Sequence, residues 1–395
     1  MDTDPIYINS TLEIPAEFCD IAPYDDTVFH EKMASLVKEP GFEHAIRYIM
    51  PDVDYDAFST QLQSVPGQKE FQERIMGDFL EFLVKKTSSG LSLSGQENID
   101  GNNSYTFLSN HRDIVLDASL LNLCMIRHRL PLTQVAIGNN LLIYDWITDL
   151  VKLNRSFIVK RDVKKLQALE AARQLSRYIH WTLNCRHESI WIAQRQGRAK
   201  DSNDMTQESL LKMLAIGGSS DIKESLAELN IIPTAISYEY DPNDYLKVKE
   251  YLLKRRNPEF KKSQHDDLLS METGLLQPKG LIHFHLGRPI NEYIYQLPDM
   301  PRQALVHEIC LMIDRGIHSG YKIYPINYIA YDMLNGGEKF ADKYTPRQAT
   351  QFEEYIQSRL ALVKVEDITA DEMEYMRNIM LTMYSNPLKN QIIAQ

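Results

Sequence analysis

The chain lacks any run of about eighteen or more apolar residues, so no membrane-spanning helix is expected. Its first stretch, MDTDPIYINS, has neither the basic nor the apolar region of a secretory signal, and the protein is expected to stay in the cytoplasm. Cysteine is scarce: Cys19, Cys124, Cys185 and Cys310 lie far apart with no C-x-x-C, which excludes a disulfide scaffold and a zinc-ligand spacing and predicts free thiols. A net positive charge is also missing, and −11 argues against general nucleic-acid binding, which needs a clustered basic face. There is no G-x-G-x-x-G loop, no D-F-G and no G-x-S-x-G elbow, since Gly217-Gly218-Ser219 runs on into Ser220-Asp221. Kinase chemistry and serine-nucleophile hydrolysis lose their sequence basis.

What remains is the composition of an α/β protein, with 44% hydrophobic and 25% charged residues in a chain of 395. Residues 1–22, with Pro5 and Pro15, read as an arm. Asp25 to Lys86 has helical periodicity broken at Pro40-Gly41, Pro51 and Pro66-Gly67, and Ser88 to Asn103 reads as a Ser/Gly/Asn-rich connector. Short apolar runs then alternate with longer amphipathic segments, the pattern of βα units about a sheet. Strands are expected at Tyr105–Ser109, Gln134–Ile137, Ser156–Val159, Ser189–Ala193, Ile231–Tyr238 and Leu281–Leu286. Helices are expected at Ile114–His128, Leu141–Leu153, Val163–Leu183, Gln207–Leu214, Asp244–Arg255 and Pro301–Gly316, with more from Ala349 onward. Three regions follow: 1–95, an arm and helical unit; 96–295, the sheet domain; 296–395, a helical extension.

The chemistry concentrates at strand ends, where α/β proteins place their sites. In YTFLSNHRDIVLD, Tyr105 to Asp117, an apolar strand ends at Asn110-His111 and a helical pattern starts at once. A histidine on such a turn, with a carboxylate one turn further on, makes a general base whose tautomer the acid fixes. Asp113 has a second reading as the cap of the following helix. His-Arg-Asp also opens the kinase catalytic loop, but the position that needs Asn there is Ala118. SFIVKR ends a strand in Lys160 and Arg161, and IWIAQRQGRAKD ends one in Arg195, Gln196, Gly197, Arg198 and Lys200. Glycine among cations lets backbone N–H groups approach an anion that the side chains neutralise. IIPTAISYE carries Pro233, which predicts an edge or a bulge, and GLIHFHLGRPI closes on Gly287 and Pro289. Basic residues gather at Lys152–Lys165 and Lys247–Lys262, and the second stretch has the pattern of an amphipathic helix able to lie on an anionic membrane.

In this order the blocks resemble the glycerolipid acyltransferase superfamily over about residues 96–295. Its N-H-x-x-x-x-D block is approached by Asn110, His111 and Asp117, its second-block arginine by Arg161, its F-P-E-G-T-R block by Gln194 to Ala199, and its I-P strand by Ile232-Pro233. The phrases SNHRDIVLD, NLLIYDWITDLVKLN and WIAQR-x-GRAKD are similar to a group of bacterial glycerol acyltransferases. The resemblance implies a glycerol-3-phosphate acyltransferase-like α/β sheet flanked by helices, acting in phospholipid biosynthesis. It also implies a fatty acyl group moved from acyl-CoA or acyl carrier protein to a hydroxyl of glycerol phosphate or a lysophospholipid, without a metal or other cofactor. His111, Asp117 and Asp113 would be catalytic; Asn110, Arg112, Arg161, Arg195, Gln196, Gly197, Arg198, Lys200 and Pro233 would bind substrate. Five residues rather than four separate His111 from Asp117, and Gln196 stands where the family has glutamate. Those departures leave the acceptor open: an N-acyl amino-acid lipid, whose carboxylate the same cations would hold, is an alternative, as is a non-catalytic lipid-binding module.

Overall fold

A computed structural model describes residues 12–161 and 164–395. Residues 1–11 of the expected arm and Val163, the expected first residue of a helix, lie outside the described residues. Seven strands form one sheet: β1 (Gly90–Ser94), β2 (Thr106–Ser109), β3 (Thr133–Gly138), β4 (Ser156–Val159), β5 (Ser189–Ala193), β6 (Ile231–Tyr238) and β7 (Leu281–Leu286). Their spatial order is β1-β7-β6-β2-β5-β3-β4. The strands β2 to β6 run parallel, whereas β7 is antiparallel to β6 and carries β1 parallel to itself.

Two expectations are corrected here. The connector Ser88–Asn103 contains β1, whose Leu91 and Leu93 alternate with Ser92 and Ser94 and which pairs with β7 from Gly90↔Leu281 to Ser94↔His285. Seryl hydroxyls hid the strand pattern, and they bond across to the β7 histidines: Ser92 Oγ to His283 Nδ1 at 2.8 Å and Ser94 Oγ to His285 Nδ1 at 2.8 Å. Pro233 is not at an edge, because β6 lies between β2 and β7. Its carbonyl accepts from Gly287 N at 2.9 Å, so its missing N–H faces the β7 side just where the antiparallel ladder has ended at Thr234↔Leu286.

The N-terminal unit contains α1 (Asp26–Leu36), α2 (Pro40–Ile49) and α3 (Tyr55–Gln63), then a run made of α4 (Gln68–Glu70), a π-helical turn (Phe71–Met76) and α5 (Gly77–Thr87). Pro40 starts α2 rather than breaking a helix, because a first-turn N–H needs no intrahelical partner. On one face of the sheet, α5 and α6 (Leu116–Arg127) bury Leu80, Leu121 and Met125 against Phe107, Trp191 and Phe284. Between β3 and β4 runs α7 (Asp145–Leu153), which begins later than expected because Asn139–Leu141 forms its own 3₁₀ turn. The opposite face is covered by α8 (Lys165–Asn184), α9 (Glu208–Leu214), α10 (Ile222–Ala227), and, later in the chain, α13 (Asn291–Gln296) and α14 (Arg302–Ser319). After β6 come α11 (Asp244–Arg256) and α12 (Gln264–Leu276), and the chain ends in α15 (Pro325–Asn335), α16 (Pro346–Leu360) and α17 (Ala370–Ala394).

Packing takes up part of the surface that the membrane reading of the second basic stretch would use. Val248 and Leu252 of α11 are buried against Ile329, Phe352 and Met380. Three of its cations are engaged as well: Arg255 with Asp371 at 2.7 Å, Arg256 with Glu372 at 2.7 Å and Lys254 with Glu250 at 2.8 Å. No helix among the described residues is long and apolar enough to cross a membrane.

The first basic stretch is partly spent in the same way, and it supplies a pH test. Glu188, at the head of β5, sits 2.7 Å from Arg155 and 2.9 Å from Arg186. Burial alone would raise its carboxyl, but the two guanidiniums outweigh burial and hold it at about 2. A depressed carboxylate adds stability above its unfolded value, about 4.3, and that contribution is lost as pH falls through the folded value. Urea midpoints of the wild type are expected to fall steeply between about pH 4.5 and 2, and Glu188→Gln should be less stable at neutral pH with a shallower decline.

Candidate active site

The parallel strands β2, β3, β4 and β5 end on the same side of the sheet, and their following turns face one cavity. At the end of β2 the Asn110 side chain continues the ladder: its Nδ2 donates to Ile236 O at 2.9 Å and its Oδ1 accepts from Ile236 N at 2.8 Å. Asn110 is therefore a buried strut between β2 and β6 and not a substrate ligand. The next residue, His111, turns out over the strand ends.

Asp113 caps α6, its Oδ1 accepting from Val115 N at 2.9 Å and Leu116 N at 2.8 Å. Its Oδ2 accepts from Asn243 Nδ2 at 3.2 Å, and burial pushes the carboxyl upward. It does not reach the histidine, which corrects the expectation that it shares the chemistry. The partner is Asp117, one turn into α6 and pointing back. Its Oδ2 accepts from His111 Nδ1 at 2.8 Å, Arg112 N at 2.6 Å and Asp113 N at 3.0 Å. The extra residue of the turn is absorbed by these backbone bonds, so the carboxylate reaches the ring across five intervening residues. With Nδ1–H given to Asp117, Nε2 carries the lone pair. The ring meets Trp191 edge-on at 5.7 Å, and the indole is itself held by Nε1 donating to Ser109 Oγ at 3.0 Å. The His111 side chain is 14% exposed, and the exposed part faces the cavity.

That cavity has a volume of about 770 Å³. One part of its wall is apolar, with Ala118, Ile126 and Leu132 beside Met76 and Leu80 of the N-terminal unit. The lining also holds cations: Arg161 after β4, and Arg195, Arg198 and Lys200 after β5, with Gln196 and Gly197 between them. The Arg161 backbone N–H donates to Asn139 Oδ1 at 2.7 Å, tying the β3 and β4 turns together. Gly197 has φ +70°, the left-handed region that suits glycine, and a Cβ there would meet nothing within 4 Å. Its role is to shape the turn between the two arginines, not to make room. Arg195 Nε and Arg198 Nη1 are buried with no hydrogen-bond partner. Lys200 is bonded to Glu250.

Arg112 and Pro233 are not in this wall. The Arg112 side chain turns inward, is buried, pairs with Asp204 at 2.6 Å and lies 5.8 Å from the centre of the Tyr321 ring. Pro233 packs against Gly316 of α14, where a Cβ would sit 2.7 Å from the proline Cβ. The reading of the sequence missed Trp191 and Asn139. Asn139 follows the rule that found the others, since it begins the turn after β3; Trp191 does not, since it is the middle residue of β5. Among the described residues, no group of three or more His, Cys, Asp or Glu is placed to hold a metal ion.

No protein-family model matches the chain, and no curated protein does. Among solved structures it is similar to the 1-acyl-sn-glycerophosphate acyltransferase of Thermotoga maritima, at 11% identity and a TM-score of 0.35, over 72% of this chain and 97% of that one.

Proposed function

We propose that the protein is an O-acyltransferase that moves a fatty acyl group from a thioester to the hydroxyl of an acceptor bearing a phosphate, such as glycerol phosphate or a lysophospholipid. The observation that carries this reading is the His111–Asp117 pair at 2.8 Å opening on a cavity whose lining combines apolar side chains with a group of cations. A base alone would suit many reactions. A base in a cavity that offers apolar surface to an alkyl chain and cations to an anion suits joining the two.

In the proposed step, His111 Nε2 takes the proton of the acceptor hydroxyl as its oxygen attacks the thioester carbon, and Asp117 stabilises the imidazolium. The tetrahedral intermediate then expels sulfur, the carbon–sulfur bond breaks, and the proton passes from His111 to the leaving thiolate. The products are an ester and a free thiol, and the enzyme ends as it began. Arg161, Arg195 and Arg198 hold the acceptor's charged group by charge-assisted hydrogen bonds.

The test is acyl transfer by purified protein from acyl-CoA or acyl carrier protein to glycerol phosphate and a panel of lyso-lipids, with ester formation as the readout. An acceptor with a charged head group should be acylated and one without it should not. Arg161→Ala is expected to raise the acceptor KM by about tenfold or more and to leave the donor KM nearly unchanged, since a charge-assisted bond contributes about 1.5–3 kcal/mol. Equal effects on both substrates would remove Arg161 from the acceptor site.

A further inference from the structure

Asp117 uses only one of its two oxygens. Oδ2 accepts from His111, Arg112 N and Asp113 N, whereas Oδ1 is buried and, among the described residues, has no hydrogen-bond partner. A second buried atom in the same condition is the hydroxyl of Tyr238, the last residue of β6. The Tyr238 ring belongs to the apolar cluster that contains Leu116, next to Asp117, and Ile236, two residues back on β6 and so on the same face of the strand. Ile236 is the residue whose backbone holds Asn110. The strand that braces the residue before His111 thus ends in a hydroxyl that lacks a partner.

The two atoms are complementary. Burial first, and then the Asp117 and Asp113 carboxylates, raise the Tyr238 phenol well above its ordinary value, so the hydroxyl keeps its proton at neutral pH and can donate. Asp117, Asp113 and Asp241 all act on it. Asp113 has both oxygens bonded, one by Val115 N and Leu116 N and the other by Asn243 Nδ2. Asp241 has both bonded too, one by Asn243 N and the other by Lys247. Of the three, Asp117 is the one with an open oxygen. Leaving a buried hydroxyl and a buried carboxylate oxygen unbonded is costly, and one O–H···O bond between them removes both costs.

We propose that Tyr238 is a positioning residue for the dyad, its hydroxyl donating to Asp117 Oδ1 while Oδ2 holds His111 Nδ1; its effect on turnover rests on the acyl-transfer reading above. A carboxylate bonded through one oxygen can turn about its Cβ–Cγ bond. A donor on each oxygen fixes its plane, and with it the ring of the histidine. The same bond tempers the basicity of the carboxylate, so it sets how readily His111 takes a proton from a hydroxyl and gives it up to a thiolate. Tyr238 is not in the lining of the cavity, so it acts through Asp117 and not on a substrate.

Tyr238→Phe tests it, since phenylalanine keeps the ring among Leu116, Ile236 and Phe284 and removes only the hydroxyl. NMR titration of the His111 ring needs no turnover. Without the donor the carboxylate becomes a stronger base and holds the imidazolium better, which moves the His111 titration to higher pH by about half a unit or more. At neutral pH kcat should fall about threefold to tenfold with both KM values unchanged, and the acid limb of kcat/KM should follow the NMR shift. The other charged groups around the pair are the same in both proteins, so the difference reports the hydroxyl: Asp113, Asp241 and Arg112 in the interior, Lys279 beside Asp113, and Arg161, Arg195 and Arg198 in the cavity lining. If the variant does not fold, the wild type still decides. Its Tyr238 hydroxyl proton, identified by contact with its own ring protons, should resonate far downfield, as a proton shared with a carboxylate does. A His111 titration unchanged in Tyr238→Phe would overturn the proposal, and so would a hydroxyl proton at the position of an unbonded phenol. The two readings fail separately. A shifted His111 titration in a protein that transfers no acyl group would sink the enzyme reading alone; His111-dependent transfer, with a titration indifferent to Tyr238→Phe, would sink the role of Tyr238 alone.

Discussion

His111→Ala is expected to lower acyl transfer by about 10²–10⁴-fold while the protein stays folded, because a positioned general base contributes about that much. The ring touches Trp191 edge-on and bonds only to Asp117 within the dyad, so its loss removes chemistry and little packing. Asp117→Asn is expected to act in the same direction by a different route. The amide leaves the ring without a carboxylate to fix its tautomer, and it also loosens the Arg112 and Asp113 backbone bonds that shape the turn. Asp113→Asn should behave differently, weakening the cap of α6 and lowering stability more than kcat. Steady-state kinetics of the three variants, beside their urea midpoints, separate these roles. An Asp113 variant that loses turnover at full stability would mean that the dyad has been assigned to the wrong carboxylate.

The second large effect belongs to stability. Arg112→Ala is expected to cost about 3–5 kcal/mol, because it strips the counterion from the buried Asp204. Asp204 also accepts from Tyr321 Oη at 2.7 Å and, through its backbone carbonyl, from His318 Nε2 at 2.7 Å. Nearby, Asp314 of the same α14 helix as His318 accepts from Thr206 N at 2.8 Å and Oγ1 at 2.6 Å. These bonds hold the stretch after Arg198 against the C-terminal helices, so the cationic turn takes its shape in part from residues beyond position 300. Burial would lower the Arg112 guanidinium, but Asp204 and the surrounding acids outweigh it and raise it. Arg112→Lys should rescue little, since an ammonium lacks the planar fork that meets a carboxylate. A urea midpoint equal to the wild type's, with a raised acceptor KM, would instead return Arg112 to the binding site.

The strands with unbroken apolar runs were legible, and every expected strand lies within one residue of its place at each end. β1 was not, because its alternation is of leucine with serine and its stability comes from pairing with β7, far along the chain. Pro233 was misread because the rule against proline in central strands assumes a ladder on both sides, and here the β7 ladder stops one residue beyond it. At the site, SNHRD showed which residues lie together in sequence but not where each one points. Around a tight turn Asn110 faces β6, His111 the cavity and Arg112 the interior, so adjacent residues took on unrelated tasks. The basic face of α11 looked like a membrane surface because its acidic partners, Asp371 and Glu372, stand more than a hundred residues away.

The central claim is that His111 joins an acyl group to an acceptor hydroxyl, and thiol release tests it most directly. Purified protein is mixed with an acyl-CoA, and free thiol and ester are counted with and without glycerol phosphate or a lysophospholipid. The account predicts that thiol appears only when the acceptor is present, in a one-to-one ratio with new ester, and that His111→Ala abolishes both. Thiol released at the same rate without acceptor would make the protein a thioester hydrolase, and no release with any acceptor would make it a binding module; either result contradicts the account.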